Sequence, residues 1–468
     1  MRGLFIGRMS IMIKNNESAQ TNTHVDLIIE ARWVATSLAS NPLLENYSVV
    51  VQNNIIVDVL PIAQGRLKYS AENMVVQDEH ILIPGLINLH THAAMNLKRG
   101  LADDLPLMQW LNEHIWPAER AVVSSEYVKD ASLHACAEML SGGTTCFNDM
   151  YFFPQATAAA VNQSGMRANL GLFVSEFANS YATDAEDCLQ KGFESHDSWR
   201  GNAMITSSMA PHAPYTVSNR TFEKVVTYAE QLSIGIHTHL HETRDEISQS
   251  ESQYGVRPLQ RLAALGLLGP NLTAAHGIHL LPHEIDMLSD YGCHIAHCPS
   301  SNLKLGSGIA PISSMLKNNI NVGIGTDGAA SNNRLDMFAE MRLAALLAKG
   351  TAEDPTLLPA HQALEMVTIN AARALGLDAK IGTIEVGKQA DIAAVKLSDL
   401  TISPYYDPIS HLVYTCGREH VTHTWVAGEL RYSNGLYANI EPLELKEIIQ
   451  KWQPKLKQHK QSTPTKLN

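Results

Sequence analysis

The sequence predicts an α/β fold, in which a parallel sheet or barrel is inserted into a small β domain built from both ends of the chain. Three observations support this prediction. Residues 25–83 read as consecutive strands, residues 86–380 alternate short apolar runs with longer helical patterns, and strand texture returns after Lys380. Alternating strands and helices are typical of a parallel sheet or barrel. The most economical arrangement joins the two flanking β regions in one domain.

The first β region contains the runs VDLIIE, YSVVVQ, NIIVDVL and HILI, and it ends at Pro84-Gly85. The second contains GTIEVGKQADIAAVKL and VTHTWVAGELRY. We therefore expect residues 1–84 and 381–440 to form the two parts of the small β domain, and residues 85–380 to form the barrel. Residues 441–468 are expected to form a C-terminal helix and a basic tail, because five lysines and no acid occur from Lys451 onward.

Within the barrel region, apolar runs precede predicted helices. GLINLHTH is followed by a helix near Glu126–Leu140, SIGIHTHL by a helix over Glu246–Leu265, and NLTAAHG by a helix that begins near Pro282. NVGIGTDG leads into a helix at Leu335–Ala348. Parallel barrels carry their active sites at the carboxyl ends of the strands, so the residues that close these runs are the candidate site residues.

Composition disfavours several function classes. The chain has 468 residues, with 35 basic against 47 acidic side chains and a net charge of −12. This balance argues against binding to nucleic acid or to an anionic membrane. Six cysteines without CxxC pairs fit a reducing cytosol. The opening MRGLFIGRMSIMIKNN lacks the apolar core of a secretory signal, and no uncharged run approaches the ~18 apolar residues of a membrane span. We expect a cytoplasmic protein.

Histidine and acidic side chains recur at the predicted strand ends. His90 and His92 are two residues apart, so in a strand they point to the same face and can reach one metal ion. His239 and Asp327 each close a later apolar run. Catalytic zinc takes about four N, O or S ligands and keeps one position for water. An HxH pair alone is weak evidence, whereas these four residues together predict a metal centre.

Two further residues fit acid–base chemistry. Glu242 lies three residues after His239, where a carboxylate can shuttle a proton of a metal-activated water; the alternative is an acid that interacts with a helix dipole. His276 closes the run TAAHG and is a further ligand, a group that orients the attacking hydroxide, or an ordinary core histidine. Structural roles are expected for the neighbouring histidines, which are His241, His279, His283, His294 and His297.

The segment Gly323–Gly328 reads GIGTDG and matches the dinucleotide-binding pattern GxGxxG. It lies late in the chain, far from any first βαβ unit, and has an aspartate at its fifth position. The phosphate-binding pattern GxxxxGK followed by serine or threonine, the GxSxG nucleophile elbow and the HxE…PCxxC signature of the small zinc deaminases do not occur. A dinucleotide-dependent enzyme is therefore not expected.

The motifs PGLINLHTH, HLHET, AAHG, GTDGAASNN and GTIEVGKQADI resemble the amidohydrolase superfamily over nearly the whole chain. Within it, RGLADDLPLMQWLNEHIWPAE, GTTCFNDMYF, PHAPYT and SNLKLGSGIAP resemble the 5-methylthioadenosine/S-adenosylhomocysteine deaminases. The resemblance implies a distorted (β/α)8 barrel of TIM type inserted in a small β-sandwich domain. It also implies one zinc ion per chain, held by His90, His92, His239 and Asp327.

The same resemblance implies roles for the remaining site residues. Glu242 is the proton shuttle, His276 orients the hydroxide, and Asp327 is both ligand and base. Glu119 and His212 match positions that contact the ribose hydroxyls; the alternative for Glu119 is a surface acid after a Trp-Pro turn. The implied reaction is the hydrolytic deamination of an adenine nucleoside at C6, which gives the inosine analogue and ammonia.

Three features refine this expectation. Binuclear members carry a carboxylated lysine at the fourth barrel strand, and AMITSSMAPHAPYT contains no lysine, so one metal ion is expected; zinc is favoured, although iron(II) or manganese(II) also suits the ligands. Some members use arginines on early strands, where MRANLGLFVSEF offers only Arg167, which we interpret as structural. This favours 5′-methylthioadenosine over S-adenosylhomocysteine, with adenosine also open. Trp110 and Trp116 could flank the purine, although core packing is favoured for both.

Alternatives of two kinds remain open. A guanine, pterin or triazine deaminase or chlorohydrolase would share the metal site, but a ring without ribose needs no diol anchor such as Glu119 with His212. A non-catalytic scaffold would be expected to have lost ligands, and all the candidate residues are present. The expected partner is a small-molecule nucleoside, without nucleic acid or membrane, and we expect a homo-oligomer.

Overall fold

The computed structural model describes residues 22–459. The expectation about a targeting signal in the opening residues, and the part of the basic tail at residues 460–468, lie outside this range. No helix within the described range is both long and apolar enough to cross a bilayer.

The first β region forms four strands close to the predicted runs. They are β1 Thr23–Ala35, β2 Leu43–Gln52, β3 Ile55–Pro61 and β4 Tyr69–Pro84. β2 and β3 form a tight hairpin, and its two turn residues Asn53 and Asn54 have φ values of 50° and 69°. Asparagine tolerates this left-handed conformation, which matches the twist of paired strands.

Eight parallel strands follow, and their spatial order is that of the chain. They are β5 Leu86–Thr91, β6 Thr144–Asp149, β7 Arg167–Val174, β8 Ile205–Pro211, β9 Gly235–Leu240, β10 Leu272–His276, β11 His294–His297 and β12 Asn321–Ile324. Parallel strands of this kind are covered by helices on the outside, which explains their continuous apolar runs. The predicted parallel barrel is confirmed.

The barrel closes between β12 and β5 without a regular ladder. The Asn88 side chain accepts a hydrogen bond from the Thr326 backbone N–H at 2.9 Å and donates one to Thr326 Oγ1 at 2.7 Å. The Asp327 N–H donates to the His90 carbonyl oxygen at 2.9 Å. A side-chain amide thus replaces part of the backbone pairing, and the predicted distortion of the barrel has this physical form.

The glycines of GIGTDG serve this closure. A Cβ atom on Gly323 would lie 2.5 Å from Leu89 Cδ2, and one on Gly325 would lie 2.6 Å from the His90 nitrogen. Real Cβ atoms do not approach so closely, so any larger residue would push the last strand away from the first. The pattern therefore has a packing reason that involves no nucleotide.

The helices cover the barrel and the small domain. In the barrel region they are Leu107–Gln109, Trp110–Ile115 (a π-helix), Trp116–Val122, Ser125–Ser141, Pro154–Ser164, Ala185–Ser198, Asn219–Leu232, Arg244–Tyr254, Pro258–Ala264, Pro282–Asp290, Pro299–Lys304, Ile312–Lys317, Ala329–Asn332, Met337–Ala352, Ala360–Met366 and Ile369–Ala374. The others are Ile62–Lys68, Pro408–Tyr414 and Pro442–Lys457, with 3₁₀ turns at Ala93–Lys98 and Arg418–His420.

One predicted helix differs from the structure. The expected helix over Glu246–Leu265 is two helices, Arg244–Tyr254 and Pro258–Ala264. Gly255 ends the first helix with φ 74°, and Pro258 begins the second. A left-handed glycine stops a helix, and proline fits only its first turn, so the chain changes direction here.

The C-terminal strands complete the small domain. They are β13 Ile392–Lys396, β14 Val421–Val426, β15 Glu429–Ser433 and β16 Leu436–Tyr437. β13 pairs antiparallel with β4, which joins the two chain ends in one sheet of order β16-β15-β14-β13-β4-β1-β2-β3. Ile28 and Ile29 on β1 are both buried, in separate apolar clusters, so both faces of this sheet are covered.

Two contacts tie the outer elements to the barrel. Arg167, at the start of β7, forms hydrogen bonds with Asp391 at 3.1 and 3.2 Å, and both side chains are buried. The C-terminal helix packs Trp452 edge-on against Tyr127, with ring centroids 5.1 Å apart. The domain boundaries at residues 84, 380 and 440 stay a prediction, with which the ends of β4 and the start of the last helix agree.

Candidate active site

The candidate residues meet at the carboxyl end of the barrel. His90 lies in β5 and His92 follows it, His239 lies in β9, and Asp327 follows β12 by three residues. Because all eight strands are parallel, their carboxyl ends lie at the same mouth of the barrel. The structure therefore brings together four residues from distant parts of the sequence.

The tips of these side chains point at one another. His92 Nε2 lies 3.2 Å and His90 Nε2 lies 3.4 Å from Asp327 Oδ1. His239 Nε2 lies 3.4 Å from His92 Nε2. Three imidazole nitrogens and one carboxylate oxygen thus converge in a buried space, which is a donor set of the kind that zinc takes in catalytic sites.

The outer ring nitrogens of two of these histidines are held by backbone oxygens. His92 Nδ1 donates to the Met150 carbonyl oxygen at 2.5 Å, and His239 Nδ1 donates to the His212 carbonyl oxygen at 2.6 Å. A backbone oxygen can only accept, so a proton lies on each Nδ1, and each ring is turned so that Nε2 faces the other donor atoms. Metal-binding histidines are usually oriented in this way.

His90 provides a test of whether a metal fits. It is fully buried, and its Nδ1 lies 2.9 Å from His237 Nε2. Its Nε2 has no hydrogen-bond partner among residues 22–459. Buried polar atoms are nearly always paired, so an orphaned nitrogen that points at other donor atoms is what a metal ligand looks like without its ion. The donor set fits a metal.

Asp327 is fixed from three sides. Its Oδ2 accepts hydrogen bonds from Ser301 Oγ at 2.6 Å and from Ser331 Oγ at 2.9 Å, and its Oδ1 accepts one from the Gly328 N–H at 2.7 Å. Its backbone is left-handed, with φ 60°. This conformation is uncommon outside glycine, asparagine and aspartate, and here it turns the carboxylate toward the histidines.

Glu242 and His276 lie beside the donor set. Glu242 Oε2 is 3.8 Å from His276 Nε2, and His276 Nδ1 pairs with Asn302 Oδ1 at 2.8 Å. Burial raises the pKa of Glu242 above its usual range. The Glu246 carboxylate accepts the backbone N–H groups of His241 and Glu242, both at 2.8 Å, which fixes the start of the following helix.

The structure narrows the expected roles of His276 without choosing between them. Two overlapping groups have donor atoms within 4.8 Å of one another. One contains His90, His92 and Asp327, and the other contains His90, His239 and His276. His276 is therefore close enough either to bind a metal or to hold a water next to it, and its role stays a prediction.

A cavity of about 440 Å³ opens onto these groups. Its walls include His92, His239, Glu242, His276 and Asp327 from the barrel strand ends, together with Glu119 and His212. All the candidate site residues except the fully buried His90 thus face one cavity. Trp110 and Trp116 also line it, so these two side chains both contact the core and face the site.

Glu119 is buried and held from behind. Its Oε1 accepts hydrogen bonds from Lys98 Nζ at 2.8 Å and from Tyr151 Oη at 2.5 Å. The alternative of a surface acid is therefore wrong. Lys98 and Tyr151 were not among the sequence-predicted residues, because a lysine in NLKRG is ordinarily expected at the surface.

His212 is neutral at physiological pH. Burial, together with the neighbouring His92 and His90, lowers its pKa to about 3. Its Nδ1 pairs with Thr216 Oγ1 at 3.1 Å, and that hydroxyl donates to the Ala213 carbonyl oxygen. The proton therefore lies on Nδ1, and Nε2 can accept a hydrogen bond from a ligand.

The arginines of this region differ from the expectation in one respect. Arg167 is structural as predicted, since it is buried against Asp391. Arg120, which the sequence analysis did not single out, lines the cavity and is its one basic lysine or arginine among the described residues. Arg120 is exposed and directly follows Glu119. The sequence signal that could have indicated Arg120 was its position directly after Glu119, a candidate sugar-contacting residue.

The neighbouring histidines have the structural roles that were expected for most of them. His241 binds the His279 carbonyl oxygen and the Leu259 N–H, and His294 binds the Pro270 carbonyl oxygen. His283 is exposed and His297 is buried. All six cysteines are buried and free, in agreement with a fold that uses no disulfides.

Comparisons with known proteins show the family of this chain. The model of the amidohydrolase family matches residues 81–431. The 5-methylthioadenosine/S-adenosylhomocysteine deaminase of Saccharophagus degradans is 43% identical over 94% of this chain and 99% of its own length. A zinc-bound crystal structure of an adenosine deaminase from Xanthomonas campestris is 43% identical, with a TM-score of 0.92 over 93% of this chain and 100% of that one.

A third solved structure is similar to this chain in its fold alone. Atrazine chlorohydrolase from Arthrobacter aurescens is 23% identical, with a TM-score of 0.82 over 92% of this chain and 100% of that one. The family model covers most of the chain, and the relatives at more than 40% identity cover nearly all of it. The chain therefore belongs to the amidohydrolase family, among relatives that are named 5-methylthioadenosine/S-adenosylhomocysteine deaminases.

Proposed function

We propose that this protein is a zinc-dependent hydrolase that deaminates adenine nucleosides at C6. The substrates are 5′-methylthioadenosine and, as further candidates, S-adenosylhomocysteine and adenosine, and the products are the inosine analogue and ammonia. One observation carries the proposal: a convergent set of metal donors and a buried carboxylate suited to a sugar diol, Glu119, belong to the same cavity. The names of the relatives at 43% identity support it.

The metal ligands in this proposal are His90, His92, His239 and Asp327. The orphaned Nε2 of His90 and the shared approach to Asp327 Oδ1 support this set. The fourth barrel strand, β8, contains no lysine that could be carboxylated to bridge a second ion. One ion per chain is therefore proposed, with zinc preferred over iron(II) and manganese(II) for this donor set. A bound zinc ion makes water available as a nucleophile at neutral pH.

The chain's own residues complete the reaction. His276, anchored by Asn302, orients the attacking water toward C6 of the adenine ring. Glu242 takes a proton from that water and delivers it to N1, and burial, which raises its pKa above the usual range, favours its holding that proton during the transfer. Asp327 then helps to move the second proton to the amino group, which leaves as ammonia.

The sugar is held at the mouth of the cavity. Glu119 accepts hydrogen bonds from the vicinal ribose hydroxyls, since a carboxylate oxygen can accept more than one. His212, neutral and with a free Nε2, accepts a further bond. Arg120 provides a positive charge at the same mouth. The sequence-based preference for the uncharged methylthio substrate stays a prediction. Arg120, which that preference did not take into account, could pair with the carboxylate of S-adenosylhomocysteine.

The alternative activities differ at Glu119. A guanine, pterin or triazine substrate has no ribose, and a buried carboxylate in the wall would then face no hydroxyl groups. Such a carboxylate is costly to bury, which favours the nucleoside. A non-catalytic scaffold has no need for the buried histidine and aspartate side chains whose tips converge at the barrel end.

A substrate panel tests the proposal. The zinc-loaded protein is offered 5′-methylthioadenosine, S-adenosylhomocysteine, adenosine, guanine and a chlorotriazine, and the adenine-to-hypoxanthine change is followed by ultraviolet absorbance. We expect turnover of at least one adenine nucleoside, with ammonia released in equal amount. Turnover of guanine or the triazine alone would overturn the proposal.

A further inference from the structure

Three buried polar groups form a cluster behind the wall of the cavity. Lys98 Nζ donates to Glu119 Oε1 at 2.8 Å and to Tyr151 Oη at 2.6 Å, and Tyr151 Oη donates to the same Glu119 oxygen at 2.5 Å. The exposed fractions of Lys98, Tyr151 and Glu119 are 1%, 4% and 5%. Each of the three groups is hydrogen-bonded to the other two, and all three side chains are buried behind the cavity wall.

Stability alone does not account for this cluster. Burial lowers the pKa of Lys98, which means that the charged ammonium pays a desolvation cost here. Its Nζ lies 5.7 Å and 5.2 Å from the ring centres of Tyr127 and Tyr151, so aromatic faces replace part of its hydration. A buried ion pair is rarely more stable than apolar residues of the same size, so its presence at a ligand cavity indicates a use there.

The two oxygens of Glu119 have different surroundings. Both donors bind Oε1, whereas Oε2 has no hydrogen-bond partner among residues 22–459. Glu119 lines the cavity. One oxygen is thus fixed from behind by two donors, and the other remains available to a ligand.

We propose that Lys98 and Tyr151 are positioning residues that fix the orientation of Glu119, and so make the site selective for nucleosides with a vicinal ribose diol. The inference rests on the proposed function, since it concerns the contact between Glu119 and the sugar. Lys98 and Tyr151 act through Glu119. Without them the carboxyl group turns, and it loses its ability to accept from two hydroxyls at once.

The test measures one ratio: kcat/KM for adenosine divided by kcat/KM for 2′,3′-dideoxyadenosine, which lacks the diol. We expect Tyr151→Phe to lower this ratio severalfold and Lys98→Met to lower it by about tenfold or more, as loss of a hydrogen bond to a charged group would. Tyr127→Phe is the matched control, because its buried hydroxyl has no partner within the described chain and its ring also faces Lys98. The control should leave the ratio unchanged.

A double-mutant cycle separates positioning from a general structural role. In a Glu119→Gln background the ratio is already low, and adding Lys98→Met should lower it no further, because the lysine acts through the carboxylate. Lys98→Met leaves a buried acid without its counter-charge, and if it fails to fold, Tyr151→Phe decides the question. Equal losses on both substrates, with the ratio unchanged, would overturn the inference.

The outcomes also distinguish this inference from the proposed function. Wild-type protein that deaminates none of 5′-methylthioadenosine, S-adenosylhomocysteine and adenosine would overturn the proposed function, and this inference with it. Wild-type protein that deaminates adenosine, together with a ratio that Tyr151→Phe and Lys98→Met leave intact, would overturn the inference alone.

Discussion

The substitution Glu242→Gln separates proton transfer from metal binding. Glutamine keeps the shape of glutamate but cannot take up the proton. Glu242 Oε2 lies 3.8 Å from His276 Nε2, and Glu242 belongs to neither of the donor groups that could hold a metal. We therefore expect the variant to retain its metal. Because burial raises the pKa of Glu242, its ionised form is unfavourable in the folded protein, so a neutral replacement should not lower the melting temperature.

The expected loss of activity follows from the role. A positioned acid–base group contributes about 10²- to 10⁴-fold to the rate, or about 3–5 kcal/mol of activation free energy. We expect kcat for 5′-methylthioadenosine to fall by this factor, with a smaller change in KM because the contacts of Glu119 are retained. Steady-state ultraviolet assays, metal analysis and thermal unfolding measure the three quantities. A variant with about one zinc per chain and wild-type kcat would refute the proton-transfer role, and loss of the zinc would refute the ligand assignment.

Three further predictions address specificity, pH dependence and stability. Arg120→Ala should lower kcat/KM for S-adenosylhomocysteine by about threefold to tenfold and leave kcat/KM for 5′-methylthioadenosine unchanged, because only S-adenosylhomocysteine carries a carboxylate. The control Arg220→Ala removes an exposed arginine outside the cavity and should change kcat/KM for neither substrate. Equal losses on both substrates in Arg120→Ala would contradict the role of Arg120. Burial raises the pKa of Glu340 to about 7, so the folded protein binds this proton more tightly than the unfolded chain does. The protonated group therefore contributes about 3 kcal/mol to the free energy of unfolding. This contribution is fully present below pH 4.5 and is lost as the pH rises through 7. Glu340→Gln should flatten that slope in urea unfolding between pH 4.5 and 7, and an unchanged slope would count against it. Arg167→Met should lower the free energy of unfolding by about 3–5 kcal/mol, because it leaves Asp391 buried without its partner, and a loss below about 1 kcal/mol would be inconsistent with the pair.

Much of the fold is predictable from hydrophobic patterning, because buried parallel strands and amphipathic strands leave clear signals. The runs at residues 25–83 and 86–324 became strands with shifts of a few residues. The helix over Glu246–Leu265 was predicted as one because apolar residues continue across the break. The turn at Gly255 and Pro258 is a local backbone event that periodicity does not register.

The candidate site also contains residues that the sequence predicts and residues that it does not predict. His90, His239 and Asp327 were predictable because they close strands, and strand ends of a parallel barrel converge whatever the loops do. Lys98 and Arg120 were not, because they lie on the segment 93–122 that crosses the mouth of the barrel, and tertiary packing alone decides which of its side chains turn inward. The cytoplasmic location and the homo-oligomeric state stay predictions.

The most direct test of the central claim is a zinc titration of the metal-stripped protein, with the deamination rate of 5′-methylthioadenosine measured at each addition. We predict negligible activity without metal, a linear rise with added zinc, and a plateau at one zinc per chain, since four donors converge on one position. His92→Ala should show no such rise. Full activity in the stripped protein, or a plateau at two ions per chain, would contradict a single metal site as the centre of the reaction.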